Sequence, residues 1–197
     1  MLHRVVINAG HEDLRDRGAP GAAGVPEAAI NREVARALCA LSDAALTYEP
    51  KRQSILGLWT LTRALRANPP DVLVSLHCNA AKHHPPCIHE GQIYYWIGDP
   101  DTERRTCSLG LASAIREHSE GLMSERVTIR AAPYNRDGKI FLPGILENTA
   151  KRAAVLVEML FISDIHAALA ANTPAWVGRT AAALDNGIRQ WVKGDKP

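Results

Sequence analysis

Asp71-Val72-Leu73-Val74-Ser75-Leu76-His77-Cys78-Asn79-Ala80 is the stretch on which the fold turns. It follows the break Pro69-Pro70, and Val72 to Leu76 is almost continuously apolar. A strand with one wet face alternates polar and apolar residues, so an unbroken run marks a strand covered on both faces, as in a parallel sheet. The run stops at His77, with Asn79 just beyond. Ligands and active sites collect at the carboxyl ends of strands in open α/β sheets. His77 is therefore a candidate ligand or catalyst, although a lone histidine there is as readily a satisfied structural group.

Two more stretches read the same way. Arg4 to Asn8 is a strand that leaves through Ala9-Gly10-His11, and Ala153 to Val157 is an apolar strand running straight into Glu158. Between the strands come helical patterns. Pro26-Glu27 opens one whose apolar face is Ile30, Val34, Ala37, Leu38 and Leu41. Pro26 suits a helix start, and the Glu27 carboxylate suits the positive end of the helix dipole, which is also an ordinary reason for its presence. Ile55 to Arg66, carrying Leu58, Trp59, Leu61, Thr62 and Leu65, is a second helix, closed by Asn68-Pro69-Pro70. Cys107 to Ser119 is a third, with Leu109, Ala112 and Ile115 inward. Pro174 to Val192 is the last, with the stripe Val177, Ala181, Leu184, Ile188 and Trp191. Short strands are expected at Ala45 to Tyr48 and Gln92 to Ile97. Glu120 to Leu146 reads as loops with short strands over the active edge. No linker or repeat divides the chain, so residues 1–197 are expected to form a single catalytic domain.

Composition narrows the function. The 197 residues are 46% hydrophobic and 22% charged, with a formal charge of +2. That balance suits a globular enzyme and offers no basic, aromatic-interleaved surface for nucleic acid. No apolar segment reaches membrane-spanning length, so no membrane insertion is expected. Met1 to Arg4 leads directly into Val5-Val6-Ile7 without a secretory h-region, which implies synthesis in the cytoplasm without a signal peptide. The four cysteines form no CxxC pair. Cys78 and Cys87 flank one loop and could pair under oxidising conditions.

Polar groups at the strand exits, His11, His77 and Glu158, join Glu27 at a helix start. Right-handed crossovers between parallel strands would bring all four to one sheet edge. Two histidines and a carboxylate are the donor set of a hydrolytic zinc site, and a nearby non-coordinating carboxylate is the general base such a site needs. Unpaired charges at the ends of buried strands are costly, so a shared role accounts for them better than coincidence.

These residues resemble a known family. Val6-Ile7-Asn8-Ala9-Gly10-His11 through Gly18-Ala19 is similar to the "DPGHGG…GA" opening of the zinc-dependent N-acetylmuramoyl-L-alanine amidases, the amidase-3 family. Pro26-Glu27-Ala28-Ala29-Ile30-Asn31 resembles its ligand helix. Arg52 stands where the family has a "TR" pair, and Arg63 to Asn68 resembles its "R-x-x-x-AN". Ser75-Leu76-His77-Cys78-Asn79-Ala80 resembles "S-I-H-A-N-A", Gly91 to Tyr95 resembles "G-x-x-x-Y", and Val157-Glu158-Met159-Leu160-Phe161-Ile162-Ser163 resembles "V-E-L-G-F-I-S". The motifs cover nearly the whole chain in order. The resemblance implies a three-layer α/β/α fold with a twisted, mostly parallel (mixed) central sheet. It implies one Zn2+ per chain on His11, Glu27 and His77, with Glu158 as catalytic base. Departures are Asn8 for aspartate, Glu12 and Asp13 for glycines, Met159-Leu160 for Leu-Gly, and a longer loop after Ala80.

The implied reaction is hydrolysis of the amide between the lactyl group of muramic acid and the L-alanine of the stem peptide. The expected partner is peptidoglycan, acted on by a monomer. Two other readings remain open here: a zinc exopeptidase with the same donor set, for which Arg52 and Arg63 are available, and a peptidoglycan-binding module without catalysis. A cytoplasmic amidase of this kind resembles a phage or prophage endolysin that reaches the wall after release through the membrane. His83, His84 and His89 are expected in a solvent-facing, substrate-adjacent loop rather than in a second metal site.

Overall fold

The structure is a computed structural model that describes residues 3–11, 16–43, 46–52, 57–81, 89–97, 101–132, 134–136, 139–141, 144–147 and 149–194. The order of elements is β1 (His3–Ala9), α1 (Glu27–Cys39), β2 (Leu46–Arg52), α2 (Gly57–Ala67), β3 (Val72–Asn79), β4 (Glu90–Trp96), α3 (Thr102–Ser119) and β5 (Arg126–Ala132). There follow a small hairpin of β6 (Tyr134–Arg136) and β7 (Lys139–Phe141), a 3-10 turn at Gly144–Leu146, β8 (Ala153–Phe161), α4 (Ile165–Ala171) and α5 (Pro174–Gly194).

Six strands form the central sheet in the order β2-β1-β3-β8-β4-β5. Strands β2, β1, β3 and β8 are mutually parallel. β4 runs antiparallel to β8, and β5 is parallel to β4. The sheet is therefore mixed and mostly parallel. The two apolar runs become its centre: Val72 to Leu76 of β3 and Ala153 to Val157 of β8 are buried throughout.

Residue parity along each strand assigns side chains to two cores, because successive side chains point to opposite faces. On one face Val5, Ile7, Val74 and Val155 pack with Ile30, Val34 and Leu38 of α1, Leu111 and Ile115 of α3, and Leu184 and Ile188 of α5. On the other, Val6, Leu73, Tyr94 and Leu156 are covered by Leu61 and Leu65 of α2 together with Ile145 and Leu146. Helices thus flank the sheet on both sides, as the sequence pattern implies. The helical layer on the first face is tight. A Cβ on Gly187 of α5 would lie 2.6 Å from Ile115 Cα of α3, so only glycine permits that approach. A polar lock ties α5 to β2: the Tyr48 hydroxyl donates to Asp185 (2.6 Å), and Arg189 donates to both Asp185 and Asp43.

Several expectations are corrected. Arg126–Ala132 is not a loop over the active edge but a full edge strand of the central sheet, paired along β4. Its outer face carries the exposed Arg126 and Arg130, the kind of charged edge that discourages pairing with another chain and masks a strand's apolar signature. Leu109 is 40% exposed, because the inward stripe of α3 is Ser108, Leu111, Ala112 and Ile115. Trp59 is 69% exposed; it lies about half a turn round α2 from Leu61 and stacks under the Arg63 guanidinium instead (5.4 Å). Leu41 lies past the end of α1 and is exposed. β3 and β8 run on beyond His77 and Glu158, and α4 was not anticipated at all. His83, His84 and Cys87 lie outside the described residues, as do Glu12 and Asp13. No helix among the described residues is long and apolar enough to cross a membrane.

Candidate functional site

The carboxyl ends of β1, β3 and β8 meet at one edge of the sheet, and the amino end of β4 joins them because that strand runs the other way. His77 and Glu158 are direct partners across β3 and β8, and Glu158 is also opposite Gln92 of β4. Beyond that pair, β8 holds one residue more than β3 before Phe161 meets Asn79. Such a bulge bends the strand and re-aims its side chains, here turning both Met159 and Leu160 into the core beneath α3 and α5.

His11 lies just past β1 with a left-handed backbone (φ 56°), a conformation that histidine adopts more readily than most residues. Gly10 before it passes over the His77 ring: a Cβ there would stand 2.2 Å from His77 Cε1. The two imidazoles meet edge to face with centroids 5.1 Å apart. Glu27 enters from the start of α1 and is 4% exposed. Its Oε1 is 3.0 Å from His77 Nδ1 and 3.8 Å from His11 Nε2. The Cys78 backbone N–H donates to the same oxygen (3.1 Å), and the Ala19 N–H donates to Oε2 (2.9 Å). Burial opposes ionisation of Glu27, but the His77 hydrogen bond and charge, the Ala19 N–H and the His11 charge outweigh it and hold the carboxyl below its ordinary value.

His11, Glu27 and His77 each offer a ligand atom, all within 4.8 Å of one another, the one such cluster among the described residues. Two imidazole nitrogens and a carboxylate oxygen converging in this way fit a zinc ion. Their supports are already in place. His11 Nδ1 is 2.9 Å from Asp16 Oδ1, which fixes the ring and leaves Nε2 facing Glu27. Asn31 bridges the Gly10 carbonyl and Glu27 (3.1 and 3.4 Å). The sequence reading passed over Asp16 because nothing distinguishes it from the other charges between Glu12 and Arg17; only the chain path shows which carboxylate reaches the ring.

Glu158 is different. Its Oε2 is buried with no hydrogen-bond partner among the described residues. Burial, then the negative charge of Glu27, push its carboxyl up to about 8. Of the residues expected at the site, four are therefore brought to one edge, three as a cluster and the fourth beside it with one carboxylate oxygen that has no partner among the described residues. Cys78 stands behind them as a buried thiol, pushed well above its ordinary value by burial and by the charges of Glu27 and Glu158. Gln92, a residue the sequence reading gave no role, accepts hydrogen bonds from Asn79 and Tyr94 and walls the site on the β4 side.

An α/β sheet with a hydrolytic-type donor set at its carboxyl edge defines a class; sequence comparison supplies the family. The sequence model of the N-acetylmuramoyl-L-alanine amidases (amidase-3) matches residues 5–190, and the chain belongs to that family. A search of curated proteins finds no match. Among solved structures, the chain is similar to the N-acetylmuramoyl-L-alanine amidase AmiC2 of Nostoc punctiforme (18% identity, TM-score 0.77, covering 97% of each chain). It is similar to the N-acetylmuramoyl-L-alanine amidase of Clostridium difficile 630 (16%, 0.78, 99% of each chain). It is also similar to the catalytic domain of CwlV from Bacillus (Paenibacillus) polymyxa var. colistinus (18%, 0.77, 98% of this chain and 100% of that one). At these identities the structures establish a shared fold.

Two outcomes follow from the geometry. Gly10→Ala should displace the His77 ring, since the added carbon has no room, and lower metal affinity by about tenfold or more, an expected scale for a disturbed ligand shell; a titration with zinc reads this directly. In metal-free protein, the Glu158 carboxyl at about 8, against 4.5 for the ordinary group, keeps a proton on the folded state that the unfolded state has lost. Its contribution to stability therefore falls as pH rises from 4.5 to 8. Glu158→Gln removes that slope. Melting curves in chelator should show it gaining on the parent by several degrees across this range, and a constant gap would contradict the buried-acid description.

Proposed function

We propose that the chain hydrolyses the amide between the lactyl group of muramic acid and the L-alanine of the stem peptide in peptidoglycan, with one zinc ion held by His11, Glu27 and His77 and with Glu158 as general base. Family membership supports the bond, and the single observation that carries the roles is the contrast between the carboxylates. Glu27 is fixed among imidazoles and backbone N–H groups, whereas Glu158 has a partnerless oxygen in register with His77.

A zinc ion held by those three donors would supply Lewis acidity, lowering the pKa of water and polarising an amide carbonyl. Glu158 takes the proton of the attacking water on its free carboxylate oxygen. It then returns that proton to the amine nitrogen of L-alanine as the carbon–nitrogen bond breaks. A carboxyl lifted towards neutrality by burial suits both transfers, since it neither holds nor releases the proton too firmly. Asp16 keeps the His11 ring oriented, and Asn31 holds Gly10 against the helix start. The family match favours this reading over an exopeptidase, and the convergence of His11, Glu27 and His77 beside Glu158 favours it over a binding module without catalysis.

The two roles fail differently. Glu27→Ala should lose zinc and activity together. Glu158→Gln should keep about one zinc per chain while turnover falls by roughly 100-fold, the usual scale of lost general-base catalysis. On purified peptidoglycan the parent should release new L-alanine amino termini and no reducing ends. Zinc loss in Glu158→Gln with retention in Glu27→Ala would exchange the roles, and reducing ends without amines would replace the amidase with a glycosidase.

We also propose that this activity serves lysis by a phage or prophage. Expressed in a bacterium, the chain should then lyse cells only after the inner membrane is permeabilised. Lysis with that membrane intact would assign it instead to an exported bacterial enzyme.

A further inference from the structure

Residue pairing draws a single row across the sheet from the catalytic edge to its outermost strand. His77 of β3 pairs with Glu158 of β8, Glu158 with Gln92 of β4, and Gln92 with Thr128 of β5. Paired residues place their side chains on the same face of a sheet. Glu90, Arg126 and Arg130 share that face by strand parity. Ala132, of the same parity on β5, lies in one core with Leu61 and Leu65, so the row belongs to the α2 side.

Glu90 gathers the outer part of this row. It accepts from the Thr128 hydroxyl (2.6 Å), from Arg126 Nη2 (3.0 Å), and from Gln92 Nε2 and Arg130 Nη2 (both 3.3 Å). Burial opposes its ionisation, but those four hydrogen bonds outweigh it and hold the carboxyl down at about 2. Gln92 in turn accepts from Asn79 of β3 (3.0 Å), so hydrogen bonds run unbroken from the strand that bears His77 to the two arginines. One carboxylate against two guanidiniums leaves a net charge of +1, and neither arginine has another acidic partner among the described residues. Glu125, beside Arg126 in sequence, has the opposite parity and lines a pocket with Met123 and Trp176 on the other face. Each guanidinium gives Glu90 one nitrogen, and the planar fork of a guanidinium matches a second carboxylate. Repelling another chain would require these cations only at the sheet's rim. Here they are drawn back over its face, and their side chains are still 68% and 45% exposed.

Contact with Glu90 places both guanidiniums over β4, one strand spacing, about 5 Å, from the strand that carries Glu158. Because β4 runs against β8, Glu90 lies beyond Gln92 on the side where β1, β3 and β8 end. One residue of extended peptide covers about 3.5 Å. A carboxylate one residue past the scissile amide therefore comes within reach of the pair. In the stem peptide that residue is a glutamate linked onward through its side chain, so its α-carboxyl stands free unless it is amidated. The sugar side offers no such group, because the lactyl carboxyl is the one committed to the scissile amide.

We propose that Arg126 and Arg130, held by Glu90, form a subsite for the α-carboxylate of the stem residue that follows the L-alanine. This rests on the amidase reading above, and it lays the peptide over β4 and β5 with the sugar on the β1 side. The two arginines are then specificity-determining residues that tell a free stem carboxylate from an amidated one.

The test uses three soluble substrates on the zinc-loaded chain. The first is N-acetylmuramoyl-L-alanyl-γ-D-glutamyl-L-lysine; the second has the glutamate α-carboxyl amidated, and the third has the lysine carboxyl amidated instead. The first and third should be cleaved alike, and the second less well by roughly tenfold in kcat/KM, through KM, the scale of one hydrogen-bonded charge pair. Arg126→Gln and Arg130→Gln, changes on exposed side chains, should each bring the first substrate down towards the second. If either variant fails to fold, the parent's order of the three substrates decides. Equal rates on the first and second, or an arginine effect shared equally by both, would overturn the subsite while leaving the amidase intact. A loss confined to the third would move the anion to the next residue and overturn it as well. Failure to cleave any of the three would instead remove the amidase reading beneath it.

Discussion

Glu27 is the constraint around which the catalytic edge is assembled. A carboxylate almost wholly withdrawn from water is costly unless its lone pairs are occupied. Here they are taken by three groups from two separate parts of the chain: the Ala19 N–H of the glycine-rich loop, and the Cys78 N–H and His77 imidazole of β3. Satisfying one side chain thus pins a loop, a helix start and a strand to one another. Gly18, with φ 67° and no side chain, is required beside it, since a Cβ would stand 2.5 Å from Glu27 Oε2. Asn31, one turn along α1, bonds the Gly10 carbonyl and so draws β1 into the same junction. The Gly10 N–H in turn donates to Leu76 of β3 (2.9 Å). Hydrogen bonds within the chain hold the arrangement together, which is how a small constellation is kept to a defined geometry.

The same burial separates two residues of identical chemistry. Glu27 meets donors and is held ionised, whereas Glu158 is buried beside another negative charge and is held towards its protonated form. Only their places in the fold distinguish them: one at a helix start, reached by backbone N–H groups, and one in the middle of a strand whose own N–H groups are committed to the ladder. A pair of acids pushed in opposite directions is the usual signature of divided labour at a catalytic centre.

Much of this could be read from the sequence, and the failures have physical causes. Val72–Leu76 and Ala153–Val157 were legible as central strands because burial on both faces removes every polar residue from them. His11, Glu27, His77 and Glu158 were legible because each stands where an apolar run or a helix pattern begins or ends. β5 was hidden by its arginines, which belong to an edge strand exposed on one side. Trp59 and Leu109 were misplaced because helical spacing alone admits a stripe one residue off the true one, and the packing of Leu61 and Leu111 decides between them. Asp16 could not have been singled out, since its role depends on a left-handed turn at His11 that no residue type announces.

The position of β8 has a consequence for how the protein comes into being. This is the last strand among the described residues, yet it lies between β3 and β4 and is what joins the parallel block β2-β1-β3 to the pair β4-β5. On the ribosome, where chains emerge in order, the two blocks can each form early but cannot unite until residue 161 has been synthesised. All three candidate donors, His11, Glu27 and His77, are then already present, while Glu158 rides in on the closing strand. Completion of the sheet and arrival of the Glu158 carboxyl beside His77 are one event, so an unfinished chain lacks the assembled edge.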